Sequence, residues 1–315
     1  MTPSEIKSTL HSLGGGANKR LGQHFLIDRA ALDTIVEHAP CHPGSVVLEI
    51  GPGLGVLTKE LLAKGCEVIA VERDRRFVQF LDSRVRENDN SRIKIIQGDA
   101  AELDWMEIVG DREWSLVSNL PYSISSLALR KALWSSRPAE HVVVLVQREV
   151  AERAIALLKG EGSSSGVGSR TSRREVGMRS HVPTRGRDEI ACRSSRDRNK
   201  GSLLALMVAL ASSSARIVRR VPAGAFFPPP KVESAVLVIE PMPLSERIEM
   251  WGIDPERIME IAKAGFAHPR KLLASNLRPI VGEGRAVSLK DAGIPEKARA
   301  ENLSPAQWAE LAKQL

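Results

Sequence analysis

Tyrosine occurs once in these 315 residues, at position 122, and aromatic residues make up only 4% of the chain. Cysteine is also sparse. Cys41, Cys66 and Cys192 form an odd set without a C-x-x-C pair, which speaks against disulfide staples and for reduced thiols in an intracellular protein. His38, Cys41 and His42 lie close together, but no second ligand pair follows at zinc spacing, so no metal is expected. Long apolar runs are missing: the longest, Leu203 to Ala211, falls short of the roughly 20 residues that span a bilayer. The first residues carry Glu5 and Gly14-Gly15-Gly16 without an apolar stretch, unlike a signal peptide or anchor. A cytoplasmic protein with no membrane partner is expected.

What the chain does have is basic charge, +7 in total, which suggests an acidic partner. Its distribution weakens that inference. Segment 160–202 holds ten Lys+Arg against five Asp+Glu, so it contributes +5 and leaves +2 for everything else. A nucleic-acid reading must therefore rest on local patches and on a site. The same segment contains nine Ser and nine Arg, no aromatic residue and almost no apolar periodicity, so no secondary structure is expected there. It reads as a solvated loop, as an arginine-rich arm adding phosphate contacts, or as a stretch translated out of frame.

Between residues 45 and 158 short β-branched runs alternate with helical stretches. Val46 to Ile50 precedes a helix from Val56 to Ala63, then Val68 to Val71, Ile93 to Ile96 and Ser115 to Ser118 follow. A helix through Ala128 to Trp134 leads to Val142–Val146 and another helix. Such alternation predicts an α/β fold, an open parallel sheet with helices on both faces. Arg216 to Val221 and Ala235 to Ile239, joined by a proline-rich loop, predict a closing hairpin and about seven strands in all. After Pro241 strand signals vanish. Asp254-Pro255 and the capping box Ser304-Pro305-Ala306-Gln307 open helices there, so 1–241 and 242–315 are expected to be two domains, the second small and helical.

Gly51-Pro52-Gly53-Leu54-Gly55 follows a strand and opens a helix, so its backbone can approach a ligand closely. It is not a dinucleotide fingerprint, because Val56 stands where G-x-G-x-x-G needs its third glycine. No G-K-[ST] follows, which excludes a P-loop. Glu72, 21 residues beyond Gly51 at the end of the next strand, is placed to take both ribose hydroxyls. Asp99, after Gln97-Gly98, can accept an adenine amino proton. A ligand with ribose and adenine but no phosphate fits this set, and S-adenosylmethionine leads the candidates. Asn119-Leu120-Pro121-Tyr122 closes a fourth strand with an amide, free carbonyls and one aromatic face. The Asn119 amide oxygen and a nearby carbonyl can accept both N–H groups of an exocyclic amine, while Pro121 stiffens the turn and Tyr122 can stack on the base.

With these residues assembled, the chain resembles the ribosomal RNA adenine N6-dimethyltransferase family of the small-subunit type. The stretches that carry the resemblance are Lys19 to Leu26, Glu49 to Gly55, Val71-Glu72, Gly98-Asp99-Ala100, Asn119 to Tyr122, Phe226 to Ser234 and Phe266 to Leu277. It implies a seven-stranded Rossmann-like methyltransferase sheet, with His24, Leu26, Gly51, Gly53, Glu72, Asp99, Ala100 and Asn119 binding S-adenosylmethionine. It further implies that Asn119, Leu120 and Pro121 face the target amine, that Tyr122 stacks on the target adenine, and that Phe226 or Phe227 closes the other face. The substrate would be two adjacent adenines in a 3′-terminal hairpin of small-subunit rRNA, dimethylated by a monomer within a maturing ribosomal particle. His24 stands where the family often has Asn, and Pro269 where it commonly has a second Arg before Arg270-Lys271. Three rivals remain: a large-subunit rRNA dimethylase of the antibiotic-resistance type, a non-catalytic ribosome assembly factor, and a dinucleotide oxidoreductase, against which Val56 counts.

Overall fold

The computed structural model describes residues 1–18, 21–87, 91–158, 201–281 and 289–315. The expectations on segment 160–202, apart from Gly201 and Ser202, and on Lys19 and Arg20 lie outside the described residues.

The chain opens with a helix that the sequence reading missed, α1 (Pro3–Ser12). Its signal is local: the Thr2 hydroxyl accepts from the Glu5 N–H, and the Glu5 carboxylate accepts from the Thr2 N–H. Ile6 and Leu10, one turn apart, pack against Phe25, Leu54 and Phe77. After β1 (Phe25–Leu26) and α2 (Arg29–His38), strands and helices alternate as expected. They are β2 (Val46–Ile50), α3 (Val56–Ala63), β3 (Glu67–Glu72), α4 (Arg75–Glu87), β4 (Ile93–Gln97), α5 (Trp105–Val109), β5 (Trp114–Asn119), α6 (Ser125–Trp134), β6 (Val142–Gln147) and α7 (Arg148–Ala154). The chain continues with α8 (Leu203–Ala211), β7 (Ser212–Val221), β8 (Phe226–Phe227), β9 (Ser234–Pro241), α9 (Leu244–Trp251), α10 (Pro255–Gly265), α11 (Leu273–Val281) and α12 (Pro305–Gln314).

Seven strands form one sheet in the order β4-β3-β2-β5-β6-β9-β7. The first five are parallel, and β9 runs antiparallel to β6 and β7, which is the expected closing hairpin. Alternate residues serve opposite faces: Leu48, Val71, Leu116 and Val144 enter one apolar layer, whereas Val47, Val68, Val117 and Val143 enter the other. The chain crosses over between β2 and β5, so the crevice at their carboxyl ends is where a ligand fits an open α/β sheet. A separate ribbon pairs β1 with β8, Phe25 opposite Phe227 and Leu26 opposite Phe226.

One expectation is corrected here. Cys41 and Cys66 are joined as a disulfide, with Cα atoms 5.5 Å apart, rather than standing as reduced thiols. The reason is topological: β2 and β3 are parallel neighbours with Val46 opposite Glu67, so the turns that enter them lie side by side. Cys41 is thereby removed from any metal-ligand role.

Helix α8 explains how the last helices attach. Its sequence, Leu-Leu-Ala-Leu-Met-Val-Ala-Leu-Ala, is apolar all round, so it has to be covered on every side. The sheet, α6 and α7 cover part of it, and α9, α10 and α12 cover the rest. Carbonyls near its carboxyl end are satisfied from several directions. Trp134 and Trp251 donate their indole N–H groups to Met207 O and Leu210 O, Ser212 Oγ donates to Val208 O, and the Met242 N–H donates to Ala211 O. Arg247 of α9 is fully buried, donating to Met242 O at 2.8 Å and to Leu133 O of α6 at 2.7 Å; burial pushes its pKa down to about 10. Among the described residues no helix is long and apolar enough to cross a membrane.

Packing between α10 and α12 leaves no spare room. A Cβ on Gly265 would overlap the ring of the fully buried Trp308 and lie 3.0 Å from Leu273 Cδ1. G265A should therefore lose about 1–3 kcal/mol in denaturant unfolding, the usual penalty of overpacking. Unchanged stability would show that α12 can shift to admit a methyl group.

Candidate functional site

A cavity opens at the carboxyl ends of β2, β3, β4 and β5, and β1 borders it. Every residue predicted to hold the cofactor lines it: His24, Leu26, Gly51, Gly53, Glu72, Asp99, Ala100 and Asn119. Leu120, Pro121 and Tyr122 line it too.

Glu72 ends β3 and is only 7% exposed, and both carboxylate oxygens are already engaged. Oε2 accepts the Gly53 N–H at 3.1 Å and Oε1 accepts the Asp74 N–H at 2.8 Å. Burial pushes its pKa above the ordinary carboxylate value, and these two N–H groups oppose that shift. Each oxygen retains an accepting lone pair. Gly51 sits in the left-handed region at φ +68°, and a Cβ there would come within 3.1 Å of Pro121 Cγ, so glycine is what lets the loop and the β5 turn approach each other. The Asp74 carboxylate accepts from Gln23 Nε2 at 2.8 Å and from Arg76, whose guanidinium holds it below the usual carboxylate range. Through Gln23 the segment before β1 is tied across the rim of the cavity. Asp99, after β4, accepts the Ala101 N–H on Oδ1 at 2.9 Å and pairs through Oδ2 with Arg73 at 3.1 Å.

The β5 turn presents its polar groups in a defined way. Asn119 Nδ2 points to His24 O at 3.5 Å, which leaves its Oδ1 to accept from elsewhere. Pro121 O already accepts from the Ile124 N–H at 3.1 Å and from Ser125 Oγ at 3.3 Å. Leu120 O, in contrast, accepts no hydrogen bond among the described residues. The Tyr122 hydroxyl shares a 2.7 Å hydrogen bond with Ser234 Oγ, and burial raises its pKa. Its ring stacks on His24, with centroids 5.8 Å apart and planes inclined by 25°. His24 Nδ1 donates to Pro228 O at 2.7 Å; since a carbonyl can only accept, that nitrogen carries the proton.

The two phenylalanines are not brought to the site. Phe226 pairs with Leu26 in the two-stranded ribbon and is 2% exposed within the core, and neither it nor Phe227 lines the cavity. Phe227 packs beside the α1 cluster, with Lys7 Nζ 5.4 Å from its ring centroid. The ribbon sends Phe226 into one apolar cluster and Phe227 into another; what the motif contributes is Pro228 O, bound by His24, and Ser234 Oγ, bound by Tyr122.

Sequence reasoning also missed Glu49, a fully buried carboxyl lining the cavity from β2. Its signal was an acid inside an otherwise apolar strand. Thr58 Oγ1 donates to its Oε2 at 2.7 Å. Burial pushes its pKa up to about 8, with the nearby Glu72 charge acting in the same direction and Thr58 against it.

The seven-stranded sheet, with its glycine loop and acidic strand ends, has the fold of S-adenosylmethionine-dependent methyltransferases. It superposes with TM-score 0.65 on a dimethyladenosine transferase from Plasmodium falciparum, 20% identical, covering 91% of this chain and 96% of that one. With the 23S rRNA methyltransferase ErmE the TM-score is 0.59 at 22% identity, covering 92% and 99%. Residues 15–165 and 187–315 match the family model of ribosomal RNA adenine dimethylases, and the chain belongs to that family. A relative named ribosomal RNA small subunit methyltransferase A, from Dehalococcoides mccartyi, is 34% identical over 299 residues, 94% of this chain and 87% of the relative.

The Glu49 shift has a consequence for stability. Between about pH 4.5 and 8 the native protein holds a proton that the unfolded chain has released. Stability from this group is full below the unfolded pKa and is lost as pH rises through the folded one. In E49Q, which keeps a neutral side chain, that loss should disappear and leave the same-signed contribution of Glu72. Thermal melts of wild type and E49Q across this range check it, and parallel curves would contradict the shift.

Proposed function

We propose that the chain transfers methyl groups from S-adenosylmethionine to N6 of adenines in small-subunit rRNA. The observation that carries this reading is the β5 turn, where Asn119 Oδ1 and Leu120 O are both open to a donor beside a fixed aromatic ring. The 34% identity to the small-subunit relative, over 94% of this chain, supports the small-subunit type over the large-subunit one.

S-adenosylmethionine supplies an electrophilic sulfonium methyl group. The donor set fits such a ligand: Glu72 has accepting capacity for two ribose hydroxyls, Asp99 for an adenine amine, and the Gly51 turn leaves the backbone bare where a Cβ would intrude. Asn119 Oδ1 and Leu120 O each accept one N–H of the target amine. Pro121 O drops out of the role that the sequence left open to it, because its two lone pairs are engaged. Held in this way, the amine directs its lone pair out of the ring plane and toward the methyl, so no strong base is required. Catalysis comes from positioning and from fixed dipoles facing the developing charge on nitrogen. Tyr122, anchored by Ser234, stacks on the adenine. Its centroid lies 5.8 Å from His24, less than the roughly 7 Å that two stacking steps occupy, so the base uses the face of Tyr122 turned away from His24. Stacking offsets the few kcal/mol needed to extrude a base.

In this reading residues 1–241 form the methyltransferase unit and 242–315 the part that engages RNA, with a monomer acting on two adjacent adenines in a maturing small particle. Lys263, His268, Arg270, Lys271 and Arg278 are all exposed around the α10–α11 turn, which Asn276 Nδ2 pins through Gly265 O and His268 O. Such a cluster suits backbone phosphates.

The test offers labelled S-adenosylmethionine with unmethylated small particles, large particles and naked RNA, and maps any methylated base. Label on small-particle adenines is expected. Label confined to large particles would favour the other dimethylase type, and none with intact cofactor binding would favour an assembly factor. Y122A should keep cofactor affinity and lose most transfer, whereas E72A should lose the cofactor itself. Equal losses of affinity in both would refute that division of roles.

A further inference from the structure

At the cofactor end of the cavity sits a charged contact that the reading above does not use. Strands β3 and β4 run parallel with Glu72 opposite Gln97, and the Gly98 N–H donates to Glu72 O at 2.9 Å. Arg73 and Asp99 therefore emerge side by side from the two strand ends, and both line the cavity. Arg73 Nη1 lies 3.1 Å from Asp99 Oδ2. The Arg73 side chain is 65% exposed and the Asp99 side chain 22%, so the guanidinium forms the outer wall and the carboxylate the inner one.

Resting on the assignment of Asp99 to the cofactor's adenine amine, we propose that Arg73 is a second adenine-binding residue, fixing the Asp99 carboxylate and covering the exposed side of the purine with its guanidinium. Asp99 Oδ1 is oriented by the Ala101 N–H and Oδ2 by Arg73, so the carboxylate has one available orientation. Each oxygen still has an accepting position, which leaves room for the amine. A guanidinium is planar, permanently charged and weakly hydrated, so it lies flat on an aromatic face while its fork holds a carboxylate, which a compact ammonium cannot do. Arg73 also borders a shallow groove with Arg75 and Arg76, where an RNA phosphate could sit. Its ion pair with Asp99 turns it toward the cavity instead. Arg76, by contrast, is committed to Asp74 and to Gly16 O.

Calorimetric titration with S-adenosylhomocysteine tests this on the intact protein without recourse to activity. R73M should weaken binding roughly three- to thirty-fold, the range for a cation over a ring. R73K, which keeps the charge but not the planar fork, should recover little of it. Because Arg73 acts partly through Asp99, R73M/D99A should lose less than the product of the two single losses. Binding of small-subunit rRNA and its salt dependence should be unchanged in R73M. Wild-type affinity in R73M or R73K, or multiplicative losses in the double variant, would overturn the proposal. So would a loss confined to RNA binding, which would make Arg73 a phosphate contact. If D99A itself binds S-adenosylhomocysteine normally, the adenine assignment of Asp99 fails and this proposal falls with it. If D99A is weakened while R73M is not, only the role of Arg73 falls.

Discussion

The buried carboxylate of Glu72 organises the ligand end of this protein. One oxygen holds the glycine loop through Gly53 N–H and the other holds the approach to α4 through Asp74 N–H. Asp74 in turn fixes Gln23, so the segment leading into β1 takes its position from the same strand end. A buried carboxylate is expensive unless it is well hydrogen-bonded, and here its partners are backbone groups of the loops that form the cavity. Stability and ligand geometry thus rest on the same contacts. Glu49 avoids the cost differently: burial, with Glu72 nearby, keeps its carboxyl largely protonated at neutral pH, so it adds little negative charge to the cavity.

The other half of the site depends on strand register. Because β5 lies beside β2 and β6, its last residue reaches the edge of the glycine loop, and the turn after it runs straight into α6. Helix α6 is held at both ends. Ser125 at its start donates to Pro121 O, and Leu133 O near its end accepts from Arg247 of α9. The helices that follow Pro241 are thereby fastened to the element that carries the β5 turn, and the apolar layer around α8 is continuous with theirs. Structurally, the part proposed to engage RNA and the part proposed to present Asn119 and Tyr122 share one core.

Much of this was legible in the sequence, and for identifiable reasons. Strands buried on both faces have to be β-branched runs, so β2, β3, β5 and β6 announced themselves. Loop chemistry at strand ends is local, so Gly51, Glu72, Asp99 and Asn119 could be picked out by position after a strand. Reading failed where a residue's role depends on distant partners. Phe226 and Phe227 carried an aromatic signal, and in the ribbon with β1 they pack into two apolar clusters outside the lining of the cavity. Cys41 and Cys66 looked unrelated until parallel pairing of β2 and β3 set their turns together. Helix α1 was overlooked because only two apolar residues mark its buried face.

By itself the sequence determined the class of fold, the chain order of the seven strands of the main sheet and the residues that meet at its carboxyl edge, because periodicity and turn chemistry act over a few residues. Only the tertiary structure decided which groups those residues leave available. Pro121 O is taken while Leu120 O is open, Asn119 turns its nitrogen to His24, Tyr122 is anchored by a serine 112 positions away, and Arg73 lies against Asp99. Apart from the Pro121 turn, whose partners lie three and four residues on, these outcomes arise from hydrogen bonds and an ion pair between segments far apart in the chain, and no local pattern encodes them.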